Sequence, residues 1–107
     1  MFKVTTTAAD QVRNAARESG TEGMALRLAA SKNADGTIDY KMGFDEAGED
    51  DIRFTTEGVE VVMAPEYVPL LDTATLDFVE LQAGEFQFIF LNPQDTSYVP
   101  PEGVDAG

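Results

Sequence analysis

Two stretches of the 107-residue chain decide its fold: FTTEGVEVVM at residues 54–63 and FQFIFLNP at residues 86–93. In both stretches, β-branched or aromatic residues recur at every second position, which is the period of a strand. Glu57 and Gly58 supply a turn, so the first stretch ends one short strand and begins another.

The strand predicted within the second stretch is largely apolar on both faces, so it lies in the centre of a sheet or at an interface. Phe86, Phe88 and Phe90 share one face, and Gln87, Ile89 and Leu91 share the other. We therefore predict an interface formed by its five apolar residues: Phe86, Phe88, Phe90, Ile89 and Leu91.

The remainder of the chain predicts a mainly β domain with two helices. Thr7 and Asp10 have the spacing of a capping box, which places a helix at about Ala8 to Ser19, closed by Gly20. Apolar residues then alternate from Met24 to Phe44, which predicts a hairpin whose turn contains Asp35 and Gly36. The other predicted elements are strands at Asp51–Thr55, Val59–Met63, Thr75–Leu81 and Glu85–Leu91, and a short helix at Pro65–Leu71.

Length and composition predict one domain over residues 1–93 and a flexible tail over residues 94–107. Two of the five prolines, Pro100 and Pro101, lie in this tail, and Pro93 comes just before it. The net charge of -13 repels phosphate backbones and anionic lipids, so nucleic acid and membrane surfaces are not expected partners. No apolar run is long enough for a membrane helix or a signal peptide, and we expect a cytoplasmic protein.

The chain has no cysteine and no histidine, so thiolate and imidazole ligands are both excluded. Two acidic segments remain as candidates for hard cations. Ser31 to Met42 partly matches a calcium loop but lacks the ligands at its first and last positions, so we interpret it as a turn. Asp45 to Asp51 contains five acidic residues and predicts a solvated loop. We predict no metal site, no cofactor and no catalytic residues.

Several segments in this order resemble the HesB/IscA-like family of A-type iron–sulfur carriers. The segments are GVEVV at 58–62, LLD at 70–72, LDF at 76–78 and FIFLNP at 88–93. The resemblance implies two small mixed sheets that form a sandwich or pseudobarrel, capped by the N-terminal helix and the second short helix. It also implies three cysteine ligands, at positions that Asp35, Val99 and Pro101 occupy in this chain.

The resemblance implies a role in iron–sulfur cluster biogenesis, without a cluster held by the chain's own thiolates. We expect a non-enzymatic protein that acts through protein–protein interaction, as a homodimer and with an iron–sulfur assembly or client protein as a further partner. A second hypothesis is a small-ligand or oxygen-ligated metal-binding module on the same fold. A third is an adaptor without any connection to metals.

Overall fold

The computed structural model describes residues 1–98, which form seven strands, two α-helices and one 3-10 turn. The predicted bounds of the strands at Val59–Met63 and Glu85–Leu91 are confirmed, and the other strands shift by one or two residues. The elements are β1 (Lys3–Val4), α1 (Thr6–Ser19), β2 (Ala25–Lys32), β3 (Ile38–Asp45), β4 (Ile52–Thr56), β5 (Val59–Met63), the 3-10 turn (Pro65–Tyr67), α2 (Val68–Leu71), β6 (Thr75–Gln82) and β7 (Glu85–Leu91).

The strands form two mixed sheets, which confirms the predicted mainly β architecture. The larger sheet has the order β3-β2-β5-β4, in which β2 and β5 are parallel and the other pairs are antiparallel. The smaller sheet has the order β1-β6-β7, in which β1 is parallel to β6 and β7 is antiparallel to it. The predicted β2–β3 hairpin is confirmed, with Leu26 opposite Phe44 and Ala30 opposite Tyr40.

β7 lies at an edge of the smaller sheet, so the prediction of a central strand is wrong. Its two apolar faces misled that interpretation, because only part of one face contacts the core. Phe88 and Phe90 pack against the core, whereas Phe86 on the same face is 56% exposed. The remaining alternative, that β7 belongs to an interface, stays a prediction.

One hydrophobic core lies between the sheets and α1. Leu28, Val61, Met63, Leu71 and Leu76 are its most deeply buried large side chains. Helix α1 presents small residues to this core, and Ala8 and Ala9 are fully buried. Small side chains let the helix axis approach the sheet closely.

The helix begins two residues earlier than predicted, and its N-cap is Thr5, not Thr7. The Thr5 hydroxyl oxygen accepts a hydrogen bond from the Ala8 amide at 3.1 Å and donates one to the Asp77 carboxylate at 2.7 Å. Thr5 follows β1 directly and has extended dihedral angles, which an N-cap requires. The pairing of β1 with β6 therefore determines where the helix begins. Gly20 closes the helix in the left-handed conformation, as predicted.

The prediction that residues 45–51 form a solvated loop is wrong for Asp45 and Asp51. Strands β3 and β4 lie at opposite edges of their sheet, so the connection between them must cross it. Arg27 of β2 holds this crossing, because Nε donates to Asp45 at 2.7 Å and both Nη atoms donate to Asp51, at 3.0 and 2.5 Å. The guanidinium of Arg27 lowers the pKa of Asp51 to about 2.

Candidate functional site

Asp35, the first predicted ligand position, lies in the turn between β2 and β3, where its carboxylate is used locally. Its Oδ1 accepts hydrogen bonds from the Thr37 hydroxyl at 2.7 Å and the Thr37 amide at 3.0 Å. The Thr37 hydroxyl, followed by its amide, lowers the pKa of Asp35. This arrangement is an Asx turn, in which the side chain stabilises its own backbone. One carboxylate oxygen of the exposed Asp35 therefore stabilises the turn.

The segment after β7 folds back onto this turn. The Thr96 amide donates to the Gly36 carbonyl at 3.1 Å, and the Thr96 hydroxyl donates to the Asp35 carbonyl at 3.1 Å. The Asp95 carboxylate accepts the Ile38 amide at 3.2 Å. We call these contacts between residues 33–38 and 95–97 the loop–tail contact. It brings the first predicted ligand position beside the segment that leads to Val99 and Pro101, which lie outside the described residues.

Gly36 is required at this contact for two reasons. Its φ of +89° lies in the left-handed region, which favours glycine. A β-carbon at this position would also lie 2.4 Å from Thr96 Cγ2, which is closer than any real contact. Another residue at position 36 would therefore need both a strained backbone and a movement of the Thr96 side chain.

Asp95 anchors the tail side of the contact. Its Oδ1 accepts hydrogen bonds from the Ser97 hydroxyl at 2.6 Å and the Ser97 amide at 2.8 Å. The Ser97 hydroxyl, then the Ser97 amide, lowers the pKa of Asp95. The ionised carboxylate is thus favoured by its surroundings, and it joins the tail to the Ile38 amide at the start of β3.

Asn92 fixes the position where the tail leaves β7. It is 1% exposed, and its amide nitrogen donates to the Leu70 carbonyl at 2.7 Å. Its Oδ1 accepts the Thr73 hydroxyl at 2.6 Å and the Gln94 amide at 3.1 Å. All these partners come from α2 and the segment that follows it, or from the tail itself. Asn92 therefore links the end of β7 and the start of the tail to the segment around α2, about twenty residues earlier in the sequence.

Tyr40 of β3 contacts Phe90 of β7, on the strand that leads to Asn92. Its ring stacks on Phe90, with centroids 4.2 Å apart and an interplanar angle of 7°. Its hydroxyl is buried and has no hydrogen-bond partner within residues 1–98. Burial raises the pKa of Tyr40 above its ordinary value, so its phenol is uncharged at neutral pH.

Residues 1–98 contain no group of three or more acidic residues arranged to hold a metal ion. Asp35 is bonded to Thr37, Asp45 and Asp51 are bonded to Arg27, and Asp95 is bonded to Ser97. These hydrogen bonds and ion pairs of the four carboxylates are thus made within turns or with Arg27. Within the same residues no helix has the length and apolar character that crossing a membrane would require.

Residues of the predicted interface lie on a hairpin formed by β6 and β7. Phe86 is exposed, whereas Phe88, Ile89, Phe90 and Leu91 are half-buried. Phe78 of β6 stacks on Phe86, with centroids 5.7 Å apart, and lies 4.9 Å from Phe88. Phe88, Phe78 and Phe86 thus form an aromatic row that begins at the core and ends at the exposed ring of Phe86.

The sequence analysis missed Arg27, Asp95 and Thr96. A signal existed for Asp95, because Asp-Thr-Ser is a typical turn sequence in which an aspartate accepts the amide two residues ahead. Nothing in the sequence indicated that Thr96 meets Gly36, sixty residues earlier, or that Arg27 pairs with two acids across a sheet connection.

A comparison with solved structures identifies the fold. The structure superimposes on the crystal structure of IscA with the [2Fe–2S] cluster with a TM-score of 0.71, over 87% of this chain and 86% of that one, at 24% sequence identity. This likeness defines the class of fold, which is the A-type carrier fold that the resemblance implied.

Curated relatives are more similar in sequence. Iron–sulfur cluster insertion protein ErpA 2 of Methylococcus capsulatus is 31% identical over 97 residues, which cover 90% of this chain and 74% of the relative. A putative ErpA of Dechloromonas aromatica is 32% identical over 97 residues, which cover 90% and 83%. No family model matches the chain. The chain belongs to the HesB/IscA-like family of iron–sulfur cluster biogenesis proteins, and it is a divergent member without cysteine.

The residues of this site do not fit an iron–sulfur cluster. Clusters are held by thiolates, in some cases with imidazole, and this chain supplies neither. The Asp35 carboxylate, the only donor of the three predicted positions within the described residues, is bonded to Thr37. The function proposed below therefore does not require this chain to hold a cluster.

Proposed function

We propose that this chain is a non-enzymatic member of the iron–sulfur biogenesis system that acts by binding other proteins and holds no cluster. The observation that carries the proposal is the loop–tail contact in a chain that belongs to the HesB/IscA-like family. Around Asp35, the first position where the resemblance implies a ligand, Thr37 donates to the Asp35 carboxylate, Thr96 donates to the Asp35 carbonyl, and Asp95 accepts the Ile38 amide. The fold is thereby retained without the donor atoms.

The pairing of the acidic groups favours this proposal over an oxygen-ligated metal module. Arg27 pairs with both Asp45 and Asp51, and backbone amides donate to the carboxylates of Asp35 and Asp95. By contrast, the exposed apolar surface of the β6–β7 hairpin favours contact with a protein. The homodimer expected from the resemblance stays a prediction.

The test uses IscA loaded with its [2Fe–2S] cluster as donor and an apo-protein that accepts a [2Fe–2S] cluster from it. Transfer is followed by visible circular dichroism with and without the chain, and complexes are identified by sedimentation velocity. We expect the chain to form a complex with donor or acceptor and to change the transfer rate, while the cluster signal never sediments with the free chain. An unchanged rate together with no complex would contradict the proposal.

The metal-binding alternative has a separate measurement. Thermal unfolding is recorded with iron(II), calcium and manganese, since a ligand that binds only the folded state raises its stability. We expect no change in the melting temperature with any of the three cations. A saturable increase with one of them would favour the metal-binding module instead.

A further inference from the structure

The far half of the β6–β7 hairpin has no other strand beside it in the described part of the chain. β1 pairs only with Thr75 and Leu76, at the start of β6, and β7 forms the opposite edge of the sheet. Proteins usually protect such an edge with lysine, proline or a bulge in the edge strand. Residues 85–91 contain no lysine and no proline, and the irregularity of the ladder lies in β6, between Glu80 and Gln82. Among residues 1–98, no strand pairs with the outer edge of β7.

The two faces of the hairpin differ in chemistry beside this edge. Phe86 and Phe88 lie on one face, where Phe78 supports both rings. Glu85 lies on the other face, two positions before Gln87 and on the side of β7 that carries Ile89. A strand added to β7 would thus place alternate side chains against aromatic rings and near a carboxylate.

The charged side chains of the β6–β7 hairpin itself all have one sign. All seven lysine and arginine residues lie within residues 1–53, so the hairpin has none. The hairpin does carry Asp77, Glu80 and Glu85. Its field therefore favours a cationic partner and opposes an anionic one.

We infer that β7 is a docking edge for an extended segment of a partner protein in which apolar residues alternate with lysine or arginine. The apolar residues would cover Phe86 and Phe88, and the cationic ones would lie near Glu85. Main-chain hydrogen bonds supply affinity in this kind of strand addition, and the alternating side chains supply specificity. The inference rests on the proposed function, because it names the surface and the chemistry of the partner.

A second copy of this chain is the less favourable occupant. Pairing two β7 edges would bring together two hairpins that both carry Glu80 and Glu85 and contain no cation. Like charges placed against each other across an interface oppose association. A basic segment gains from the same field.

The test uses a synthetic eight-residue peptide that alternates valine with lysine, capped at both ends, and the full chain labelled with ¹⁵N. A peptide that alternates valine with glutamate is the matched control. We expect the lysine peptide to shift the amide signals of residues 85–91 and the glutamate peptide to leave them unchanged. Raising the salt from about 50 mM to about 500 mM should weaken binding of the lysine peptide about fivefold or more, since the ions screen exposed charges.

Two variants locate the contact. Phe86→Ser should weaken peptide binding about fivefold, because it removes an aromatic ring from the contact. Met42→Ser, at an exposed methionine of the edge strand β3, should leave binding unchanged. Equal binding of the two peptides, shifts outside residues 85–91, or no binding at all would overturn the inference. So would a dimer in sedimentation velocity that Phe86→Ser dissociates.

The result is distinguishable from the outcome of the cluster-transfer test. If the peptide fails to bind but the chain still changes transfer, the docking edge is wrong and the proposed function stands. If the peptide binds as expected but the chain forms no complex and changes no rate, the proposed function is wrong and the edge is a general strand-binding surface.

Discussion

The loop–tail contact and the β6–β7 hairpin use their polar and apolar groups in opposite ways. At the loop–tail contact, the carboxylates of Asp35 and Asp95 accept hydrogen bonds from nearby amides and hydroxyls. On the hairpin, a strand edge has no neighbour within residues 1–98, and Phe86 is exposed. The carboxylates of the first region bond within the chain, whereas the second region is the one that we propose binds a partner.

The two regions show how a chain without the cysteine ligands retains the fold. A site that lost its ligands and kept its loops unsatisfied would cost stability, because unpaired buried polar groups are costly. Here the chain closes that end with its own hydrogen bonds. The proposed docking edge lies on the hairpin instead, and variants of the two regions test this contrast.

The largest effect is expected at Asn92, which holds the tail to the segment around α2. Asn92→Ala removes three hydrogen bonds at a side chain that is 1% exposed, and we expect it to lower the free energy of unfolding by about 3 kcal/mol. Urea denaturation measures this loss. Asn14→Ala in α1 is the control and should change stability by less than about 0.5 kcal/mol. Equal losses in both variants would mean that Asn92 is not a structural link.

A smaller effect separates the two ends of the aromatic row. Phe88→Ala should cost about 2 kcal/mol, below the roughly 3 to 5 kcal/mol of a fully buried phenylalanine, because Phe88 is only half-buried. Phe86→Ala, on the same face of the same strand, should cost less than about 0.5 kcal/mol. Thermal or urea unfolding of both variants measures these two losses of stability. A large loss of stability in Phe86→Ala would show that the exposed ring stabilises the fold, and this would contradict its assignment to partner binding.

The smallest effect concerns the closed region and depends on pH. Asp95→Ala removes hydrogen bonds to Ser97 and Ile38 and should cost about 1 kcal/mol at neutral pH. The folded state lowers the pKa of Asp95, so its contribution is fully present above the ordinary carboxyl pKa of about 3.9 and is lost as pH falls through the lower folded value.

The amide signals of Ile38 and Ser97 should therefore move as pH falls below about 4, while the amide of Gln87 in the hairpin should stay nearly constant. NMR titration from pH 6 to the acid limit of the folded state follows all three signals. If Ile38 and Ser97 do not respond, the carboxylate does not hold the tail. If Gln87 responds equally, the whole molecule is loosening and the contrast between the regions fails.

Local patterns in the sequence predicted most of the fold. The two-residue period gave the bounds of β5 and β7, and the Asp35–Gly36 turn located the β2–β3 hairpin. The helix start was misplaced because Thr5 and Thr7 are both acceptable caps, and only the pairing of β1 with β6 selects Thr5. Edge and central strands were also indistinguishable, since a largely apolar strand fits either position.

Local sequence patterns could not predict the contacts that complete the candidate site. Asp95 and Ile38 are 57 positions apart, and Thr96 and Asp35 are 61 apart, so only the assembled sheets bring them together. Arg27 pairs with Asp51 because the connection between β3 and β4 has to cross the sheet, and that follows from strand order. The resemblance indicated which positions to compare, but it did not indicate what replaces their ligands.

Reconstitution with iron and sulfide tests whether this chain can hold an iron–sulfur cluster of its own. The chain and IscA are treated side by side under reducing, oxygen-free conditions and desalted, and their iron and sulfide contents and visible spectra are then measured. IscA should retain its cluster, and this chain should be colourless and carry no stoichiometric iron or sulfide, because it has neither thiolates nor imidazoles. A charge-transfer absorption that survives desalting, with iron and sulfide in fixed proportion to the chain, would contradict the account.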